Sequence, residues 1–150
     1  MIDVGKITYA KKLAIIYNPV SGKKNSIKEK IAKRLQENKI EFEFLDTKAY
    51  MDACNIVKNL AIDDYSAIVS VGGDGTSHEV INGLFYRPDK KKIPLAFLPN
   101  GTGNDFCINL SLESIDKGLD YIIKGDLIKT DIFRVLLDYE SEEELYEKHR

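Results

Sequence analysis

The residues best suited to chemistry lie in a glycine-rich turn at positions 72–76, namely Gly72, Gly73, Asp74, Gly75 and Thr76. The turn follows a largely apolar run at residues 65–71, and the apolar side chains of residues 78–86 recur with helical spacing. Glycine permits positive φ and has no Cβ, so phosphate can approach backbone N–H groups at the electropositive start of a helix. A hairpin would need strands on both sides. We therefore interpret this first glycine turn as a phosphate site, with Asp74 beside the phosphates.

Three other polar loops also follow predicted strands, at residues 18–23, 46–47 and 100–105. Ligands of open α/β sheets bind at the carboxyl ends of the strands, so these loops are expected to converge on one cleft. Neither common nucleotide motif is complete. The pattern G-x-x-x-x-G-K-[ST] is absent, and Phe106 stands where the last glycine of G-x-G-x-x-G would be. A different phosphate-binding scheme is needed.

The elements that must position these loops alternate between strand and helix. Apolar runs predict strands at residues 13–17, 40–46, 65–71, 94–98 and 128–137. Helical spacing predicts helices at residues 26–38, 50–60, 76–85 and 112–124. Phe42 and Phe44 alternate with Glu41 and Glu43, which indicates an edge strand. Repeated strand and helix units predict an α/β fold with a doubly wound, mainly parallel sheet covered on both faces.

Composition is that of an ordinary globular domain, with 150 residues, 43% of them hydrophobic, and a formal net charge of −2. A chain of this length buries roughly 70% of its unfolded surface, so its core needs no disulfide or metal. Cys54 and Cys107 are therefore expected to be buried thiols in a reducing compartment. Two cysteines without a paired motif, and only His78 and His149, argue against a metal site built from nitrogen or sulfur.

The balance of charges gives no overall positive field, so no nucleic-acid partner is expected. No apolar stretch approaches the length of a spanning helix and no secretory signal begins the chain, so an intracellular, cytoplasmic location is predicted. The lysine loop, residues 90–92, has two interpretations. It is either a solvated turn or a peripheral contact with an acidic membrane surface.

Three motifs, taken in order, resemble the catalytic domain of the diacylglycerol kinase and lipid kinase family. They lie at residues 18–23, 72–83 and 98–106, and the similarity covers roughly residues 12–135. The resemblance implies a phosphofructokinase-like nucleotide-binding domain. It also implies that MgATP phosphorylates a lipid hydroxyl, such as that of diacylglycerol or a sphingoid base, at a membrane surface.

The resemblance further implies which residues contact the nucleotide. They are Asn18, Ser21, Gly22, Lys23, Thr47, Gly72, Gly73, Asp74, Gly75, Thr76, Glu79, Gly101 and Thr102. Asp74 is the implied catalytic residue, which either holds Mg²⁺ on the transferring phosphate or orients the attacking hydroxyl. His78 stands where diacylglycerol kinases more often have asparagine, while sphingosine and ceramide kinases partly share its surroundings, so the acceptor lipid stays open. We favour a local hydrogen-bonding role for His78 over a general base.

Family members normally continue into a second, mainly β lobe, whereas this sequence ends at Arg150. We divide it into an N-terminal extension (residues 1–11), a lipid kinase-like nucleotide-binding domain (12–137) and an acidic tail or start of a second lobe (138–150). Ser141 and Glu144 have the spacing of a capping box, which predicts a solvated terminal helix. Three hypotheses remain: a lipid kinase, a non-catalytic half-kinase that assembles with a partner chain, and an NAD kinase. The third motif weakens the last.

Overall fold

A computed structural model describes residues 2–21, 26–133 and 135. The strands are β1 (Ile2–Lys6), β2 (Lys12–Tyr17), β3 (Phe42–Asp46), β4 (Tyr65–Gly72), β5 (Leu95–Pro99) and β6 (Asp126–Lys129). The helices are α1 (Ser26–Glu37), α2 (Asp52–Asn59), α3 (Asp74–Phe85), α4 (Asp105–Asn109) and α5 (Ile115–Lys124). A short 3₁₀ turn, Ile62–Asp64, precedes β4.

The central sheet has four strands in the order β3-β2-β4-β5, and every neighbouring pair is parallel. Tyr17 at the end of β2 pairs with Asp46 of β3 and Val71 of β4, and Gly72 pairs with Pro99 of β5. The four strands therefore end at nearly the same level. The predicted doubly wound parallel sheet is confirmed, and β3 lies at its edge as its sequence indicates.

Helices cover both faces of this sheet, because successive side chains of a strand point to opposite sides. On one face Leu13 and Ile15 pack in a core with Ile31 of α1 and Leu119 of α5. On the other face the core contains Ala14 and Ile16 of β2, together with Ala53 and Val57 of α2 and Val80 and Leu84 of α3. Each fully buried Leu or Ile stabilises the fold by roughly 1.5–3 kcal/mol. The two cores fix the strand ends that carry the polar loops.

Strand β1 was not predicted from the sequence. It pairs antiparallel with β6 in a separate two-stranded sheet, in which Ile2 lies opposite Lys129. The predicted strand at residues 128–137 was wrong in its bounds, since β6 begins at Asp126 and ends at Lys129. Residues 134, 136 and 137 lie outside the described part, as does the predicted terminal helix.

Two helix starts also differ from prediction. Helix α5 begins at Ile115 rather than near residue 112 because the Ser114 hydroxyl caps it, accepting a hydrogen bond from Lys117 N at 3.2 Å. Helix α2 begins at Asp52, two residues late, because Met51 adopts a left-handed conformation with φ of 64°. That backbone geometry keeps the preceding residue, Tyr50, out of the helix and at the edge of the sheet where the polar loops gather.

Two side chains of the lysine loop contact other residues of the protein. Lys91 Nζ forms an ion pair with Asp63, and Lys92 Nζ donates a hydrogen bond to Leu84 O at 2.7 Å. Across residues 2–21, 26–133 and 135, no helix combines the length and apolar character needed to cross a bilayer.

Candidate functional site

A cleft of about 490 Å³ opens at the carboxyl edge of the parallel sheet. The polar loops that follow β2, β3, β4 and β5 form its walls, as the sequence analysis expected. Nine of the predicted site residues line it: Asn18, Ser21, Thr47, Gly73, Gly75, Thr76, Glu79, Gly101 and Thr102. Gly72 is buried beneath them at the end of β4. Gly22 and Lys23 lie outside the described residues, so their predicted roles stay predictions.

The lining of the cleft contains two chemically different sets of residues, which we call the glycine end and the tyrosine end. The glycine end consists of Ser21, Gly73, Gly75, Thr76, Gly101 and Thr102, which offer backbone groups and hydroxyls. The tyrosine end consists of Val20, Lys48, Ala49, Tyr50 and Ala53. Thr47 and Glu79 lie in the lining with both sets. The lining therefore offers both hydrogen-bonding groups and apolar surface to a ligand.

At the glycine end, glycine is required for close approach rather than for positive φ. None of Gly72, Gly73 and Gly75 has positive φ. The expectation that glycine serves here by permitting positive φ was therefore wrong. A Cβ on Gly101 would lie 2.4 Å from Gly73 Cα, and a Cβ on Gly72 would lie 2.4 Å from Thr76 Oγ1. Helix α3 begins at Asp74, two residues before the predicted start. Gly73 is its N-cap residue.

Side-chain hydrogen bonds tie the loop after β2 to both glycine turns. Asn18 Nδ2 donates to Thr76 Oγ1 at 3.0 Å. Ser21 Oγ donates to Asn100 O at 2.6 Å, and Asn100 Nδ2 donates in return to Ser21 O at 2.8 Å. Because Asn100 is buried, these bonds form where water competes weakly. The polar loops are thus held against one another by hydrogen bonds between their own residues.

The second glycine turn, residues 100–106, is closed by its own side chains. Asn104 Oδ1 accepts a hydrogen bond from Gly101 N at 2.8 Å, and Asn104 Nδ2 donates to Gly101 O at 2.7 Å. The short helix α4, which the sequence analysis did not predict, follows directly. Asp74 lies beside the cleft rather than in its lining, and its carboxylate accepts hydrogen bonds from Asp105 N at 3.1 Å and Phe106 N at 3.0 Å.

The tyrosine end was missed by sequence reasoning. The Tyr50 side chain is 88% exposed and Val20 is 89% exposed, although both border the cleft. Large apolar side chains that are this exposed gain nothing from the folded core, and at a cleft they are available to a ligand. The signal was hidden because helical spacing extended the predicted helix back to residue 50. Nearby, Glu79 Oε2 accepts a hydrogen bond from Ala53 N at 3.2 Å in the first turn of α2.

The titratable groups near the cleft argue against nucleophilic catalysis by a thiol. Burial, together with the charge of Asp74, raises the pKa of Cys107 to about 11. Burial and the charge of Glu79 also raise the pKa of Cys54. Both thiols are buried as predicted and stay protonated at neutral pH. His78 is exposed, does not line the cleft, and its Nε2 lies 3.0 Å from Asn82 Nδ2.

Comparison with known proteins assigns this chain to a recognised type of domain. The family model described as the diacylglycerol kinase catalytic domain matches residues 12–135. A diacylglycerol kinase of Staphylococcus carnosus strain TM300 is 38% identical over 126 residues, which cover 81% of this chain and 40% of that protein. Sphingosine kinase 1 of Arabidopsis thaliana is 38% identical over 100 residues, covering 63% and 21% of the two chains. The chain thus spans about two fifths or less of these relatives.

The fold is also similar to part of a longer solved structure. A crystal structure of a diacylglycerol kinase from Bacillus anthracis str. Sterne superposes with a TM-score of 0.64 at 32% sequence identity. The superposition covers 79% of this chain and 43% of that one. The α/β sheet with its strand-end loops therefore corresponds to part of a longer protein of known structure.

Proposed function

The chain belongs to the diacylglycerol kinase catalytic domain family, and from this premise we propose that its cleft binds MgATP for transfer of a phosphoryl group to a lipid hydroxyl. The observation that carries the proposal is the convergence of four strand-end loops on one cleft, whose lining includes both hydrogen-bonding and apolar groups. Phosphoryl transfer depends mainly on positioning and charge neutralisation, and loops that hydrogen-bond to one another provide positioning.

We assign the polyphosphate to the glycine end. Gly73 and Gly101 lack a Cβ where the two turns touch, and the first N–H groups of α3 point out of the helix start that follows. A twelve-residue helix has unpaired N–H groups in its first turn and a positive dipole end, both of which favour anions. The Thr76 and Thr102 side chains border the same space. Backbone donors of this kind are suited to phosphate oxygens.

The purine ring is assigned to the tyrosine end. Tyr50 and Val20 present apolar surface to the cleft, and a heterocycle gains by stacking on an aromatic side chain. Thr47 and Glu79 would then face the ribose. This orientation explains why the cleft combines hydrogen-bonding loops with large, exposed apolar side chains.

Magnesium is implied by the kinase assignment, and the donor chemistry of the cleft fits it. In the part of the chain that the structure describes, no three His, Cys, Asp or Glu side chains gather to hold a metal ion. Mg²⁺ in kinases is usually held by one or two carboxylates together with the substrate phosphates, so no such cluster is needed. The Asp74 carboxylate, at the start of α3, would hold it. When bound, the ion neutralises charge on the transferring phosphate.

The acceptor is proposed to be a lipid alcohol, as the names of the relatives suggest. One relative is a diacylglycerol kinase and another a sphingosine kinase, so the two acceptors to compare are diacylglycerol and sphingosine. Both present a hydroxyl beside a long apolar chain. The acceptor hydroxyl must approach from the glycine end, where the terminal phosphate is assigned.

Two measurements test the proposal. Titration calorimetry with ATP and MgCl₂ should give saturable binding to one site per chain, and binding should be abolished in Gly73→Asp. That substitution adds a carboxylate where a Cβ already comes within 3.2 Å of Gly101 Cα. The matched control is Asp116→Asn, which removes a surface carboxylate paired with Lys30 far from the cleft.

Radiolabelled ATP then identifies the acceptor. Vesicles containing diacylglycerol or sphingosine, and free NAD in a third reaction, are offered to the same protein. Label is expected in one of the two lipids. Label in NAD alone would contradict the lipid assignment, and the absence of ATP binding by the unmodified chain would remove the whole proposal.

A further inference from the structure

One lysine near the carboxyl edge of the sheet contacts three other side chains. Lys28 lies in the first turn of α1, and its Nζ donates hydrogen bonds to both carboxylate oxygens of Asp46 at 2.7 Å. The same Nζ lies 5.2 Å from the ring centroid of Tyr17 and 4.8 Å from that of Phe44. The two rings meet edge to face, with centroids 6.0 Å apart. The Lys28 ammonium is therefore held by a carboxylate and two aromatic rings together.

We propose that Lys28 is a positioning residue, which holds the end of β3 against the end of β2 and so fixes Thr47 in the wall of the cleft. Its partners belong to these two strands, since Tyr17 is the last residue of β2 and Asp46 the last of β3. The nucleotide part of this inference rests on the proposed function, in which Thr47 faces the ribose. The contacts of Lys28 do not depend on it.

Thr47 is the residue through which the Lys28 contact reaches the cleft. It follows Asp46 directly, is only 8% exposed, and lines the cleft. Its N–H donates a hydrogen bond to Tyr17 O at 2.9 Å. Strand β3 lies at the edge of the parallel sheet, so the sheet supports it on one side only. Lys28 adds a second attachment at the point where β3 ends and the wall of the cleft begins.

The chemistry of the contact suits a positively charged side chain. Hydrogen bonds between ionised groups are stronger than those between neutral groups, and a cation is attracted to the face of an aromatic ring. The Lys28 side chain is 35% exposed and that of Asp46 is 46% exposed, so water screens part of the attraction. Loss of the contact is therefore expected to change an equilibrium constant by about fivefold.

A cation at this edge of the sheet would also attract phosphate if it were free to reach it. Two observations oppose such a role. Lys28 is not among the described residues that line the cleft, and the Asp46 carboxylate already neutralises its charge. The two roles predict opposite effects of removing the Asp46 charge. Positioning predicts weaker ATP binding, whereas a phosphate contact predicts stronger binding because the ammonium is released.

The first experiment tests the contact without nucleotide. Amide hydrogen exchange, measured by NMR, compares the unmodified chain with Lys28→Met, which keeps an unbranched side chain and removes the charge. Exchange at Thr47 is expected to be about fivefold faster, while exchange within β4 stays unchanged and shows that the variant is folded. Lys30→Met is the matched control, because Lys30 lies on the same helix but pairs with Asp116 of α5. Unchanged exchange at Thr47 in Lys28→Met would overturn the proposal.

The second experiment measures the binding of ATP and of inorganic triphosphate by calorimetry in MgCl₂. Lys28→Met and Asp46→Asn should each weaken ATP binding about fivefold, and the double variant should bind no more weakly than either, because both changes remove one contact. Lys28→Arg should bind ATP almost normally, since a guanidinium also pairs with a carboxylate and stacks on aromatic rings. Triphosphate has no ribose, so its affinity should be the same in every variant. Stronger ATP binding by Asp46→Asn, or weaker triphosphate binding by Lys28→Met, would make Lys28 a phosphate contact and refute the proposal.

The two experiments also separate this inference from the proposed function. If the unmodified chain binds no ATP, the nucleotide assignment fails, and exchange at Thr47 still decides whether Lys28 holds the end of β3. If ATP binds, and both exchange at Thr47 and ATP affinity are normal in Lys28→Met, the nucleotide assignment stands and the positioning role is wrong.

Discussion

The glycine end and the tyrosine end of the cleft are built in opposite ways. Ser21 of the glycine end bonds to Asn100, and Asp74 beside the cleft bonds to the first residues of α4, so that residues following different strands hold one another. At the tyrosine end, Tyr50 and Val20 project from the protein and are almost fully exposed. One end is fixed by hydrogen bonds between loops, and the other presents exposed apolar surface.

This difference corresponds to what a phosphoryl-transfer site needs. Groups around the reacting phosphate must be in position beforehand, because reorganising them during the reaction would raise the barrier. The purine takes no part in bond making, so its contacts need only contribute affinity. Substitutions at the glycine end should therefore disturb both folding and binding, whereas substitutions at the tyrosine end should affect nucleotide affinity alone.

Gly101→Ala is expected to have the largest effect. Its Cβ would lie 2.4 Å from Gly73 Cα and 3.1 Å from Gly73 N, so backbone must move. Overpacking of this kind costs about 1–3 kcal/mol of unfolding free energy. Displacement of the turn by about an ångström can reduce function on the order of a hundredfold. Urea denaturation and ATP calorimetry measure the two losses.

Gly75→Ala is the matched control for stability, because a Cβ at this position meets nothing within 4 Å. Gly75 lies in the first turn of α3, where alanine is favoured over glycine by up to about 1 kcal/mol. The variant should unfold at equal or higher urea concentration than the unmodified chain. Equal stability losses in the two alanine variants would show that the contact between the turns has no special role.

Tyr50→Ala should have a smaller and more selective effect. Loss of stacking on the purine is expected to weaken ATP binding about tenfold, at the lower end of the 1–3 kcal/mol typical of aromatic–base contacts. Unfolding free energy should change by less than about 0.5 kcal/mol, because the side chain is 88% exposed and leaves no cavity. Calorimetry with ATP and with inorganic triphosphate separates the two ends of the cleft.

Tyr50→Phe keeps the ring and removes only the hydroxyl, so it should bind ATP almost normally. Inorganic triphosphate has no base, and its affinity should be the same in all three proteins. Weaker triphosphate binding in Tyr50→Ala would mean that the tyrosine end also contacts phosphate, which would end the distinction between the two ends.

Much of the fold could be predicted because it depends on local patterns. Alternation in β3 and apolar spacing in α1 follow from which side chains are buried, and both elements lie within two residues of their predicted bounds. The end-to-end alignment of parallel strands then brings the loops together by topology alone. Strand β1 could not be foreseen, since its pairing with β6 joins residues more than a hundred positions apart.

The chemistry of individual site residues was harder to predict than their location. Asn18, Ser21 and Asp74 were singled out as nucleotide contacts, and in the structure each bonds to a residue that follows a different strand. A sequence indicates which polar side chains gather, but not which of them satisfy one another. Tyr50 was missed for a related reason, because the left-handed Met51 that ends the helical pattern has no sequence signature.

Ser21→Ala should reduce ATP affinity less than Gly101→Ala or Tyr50→Ala does. It tests whether hydrogen bonds between loops hold the glycine end together. It removes the 2.6 Å hydrogen bond from Ser21 Oγ to the carbonyl of buried Asn100. One such bond contributes about 1 kcal/mol, so unfolding free energy should fall by that amount. Because the bond holds two loops of the glycine end, affinity for ATP and for inorganic triphosphate should fall by a similar small factor. Urea denaturation and calorimetry provide both values.

Ser70→Ala makes the same chemical change at a hydroxyl that does not join two loops. Within the described residues, Ser70 Oγ is buried in β4 and has no hydrogen-bond partner. Removing an unsatisfied buried hydroxyl should leave stability unchanged or raise it, because the cost of its desolvation disappears. If Ser21→Ala and Ser70→Ala behave alike, the bonds between the loops contribute nothing. A loss confined to Ser21→Ala would show that the glycine end is held together by side chains that were expected to contact the ligand.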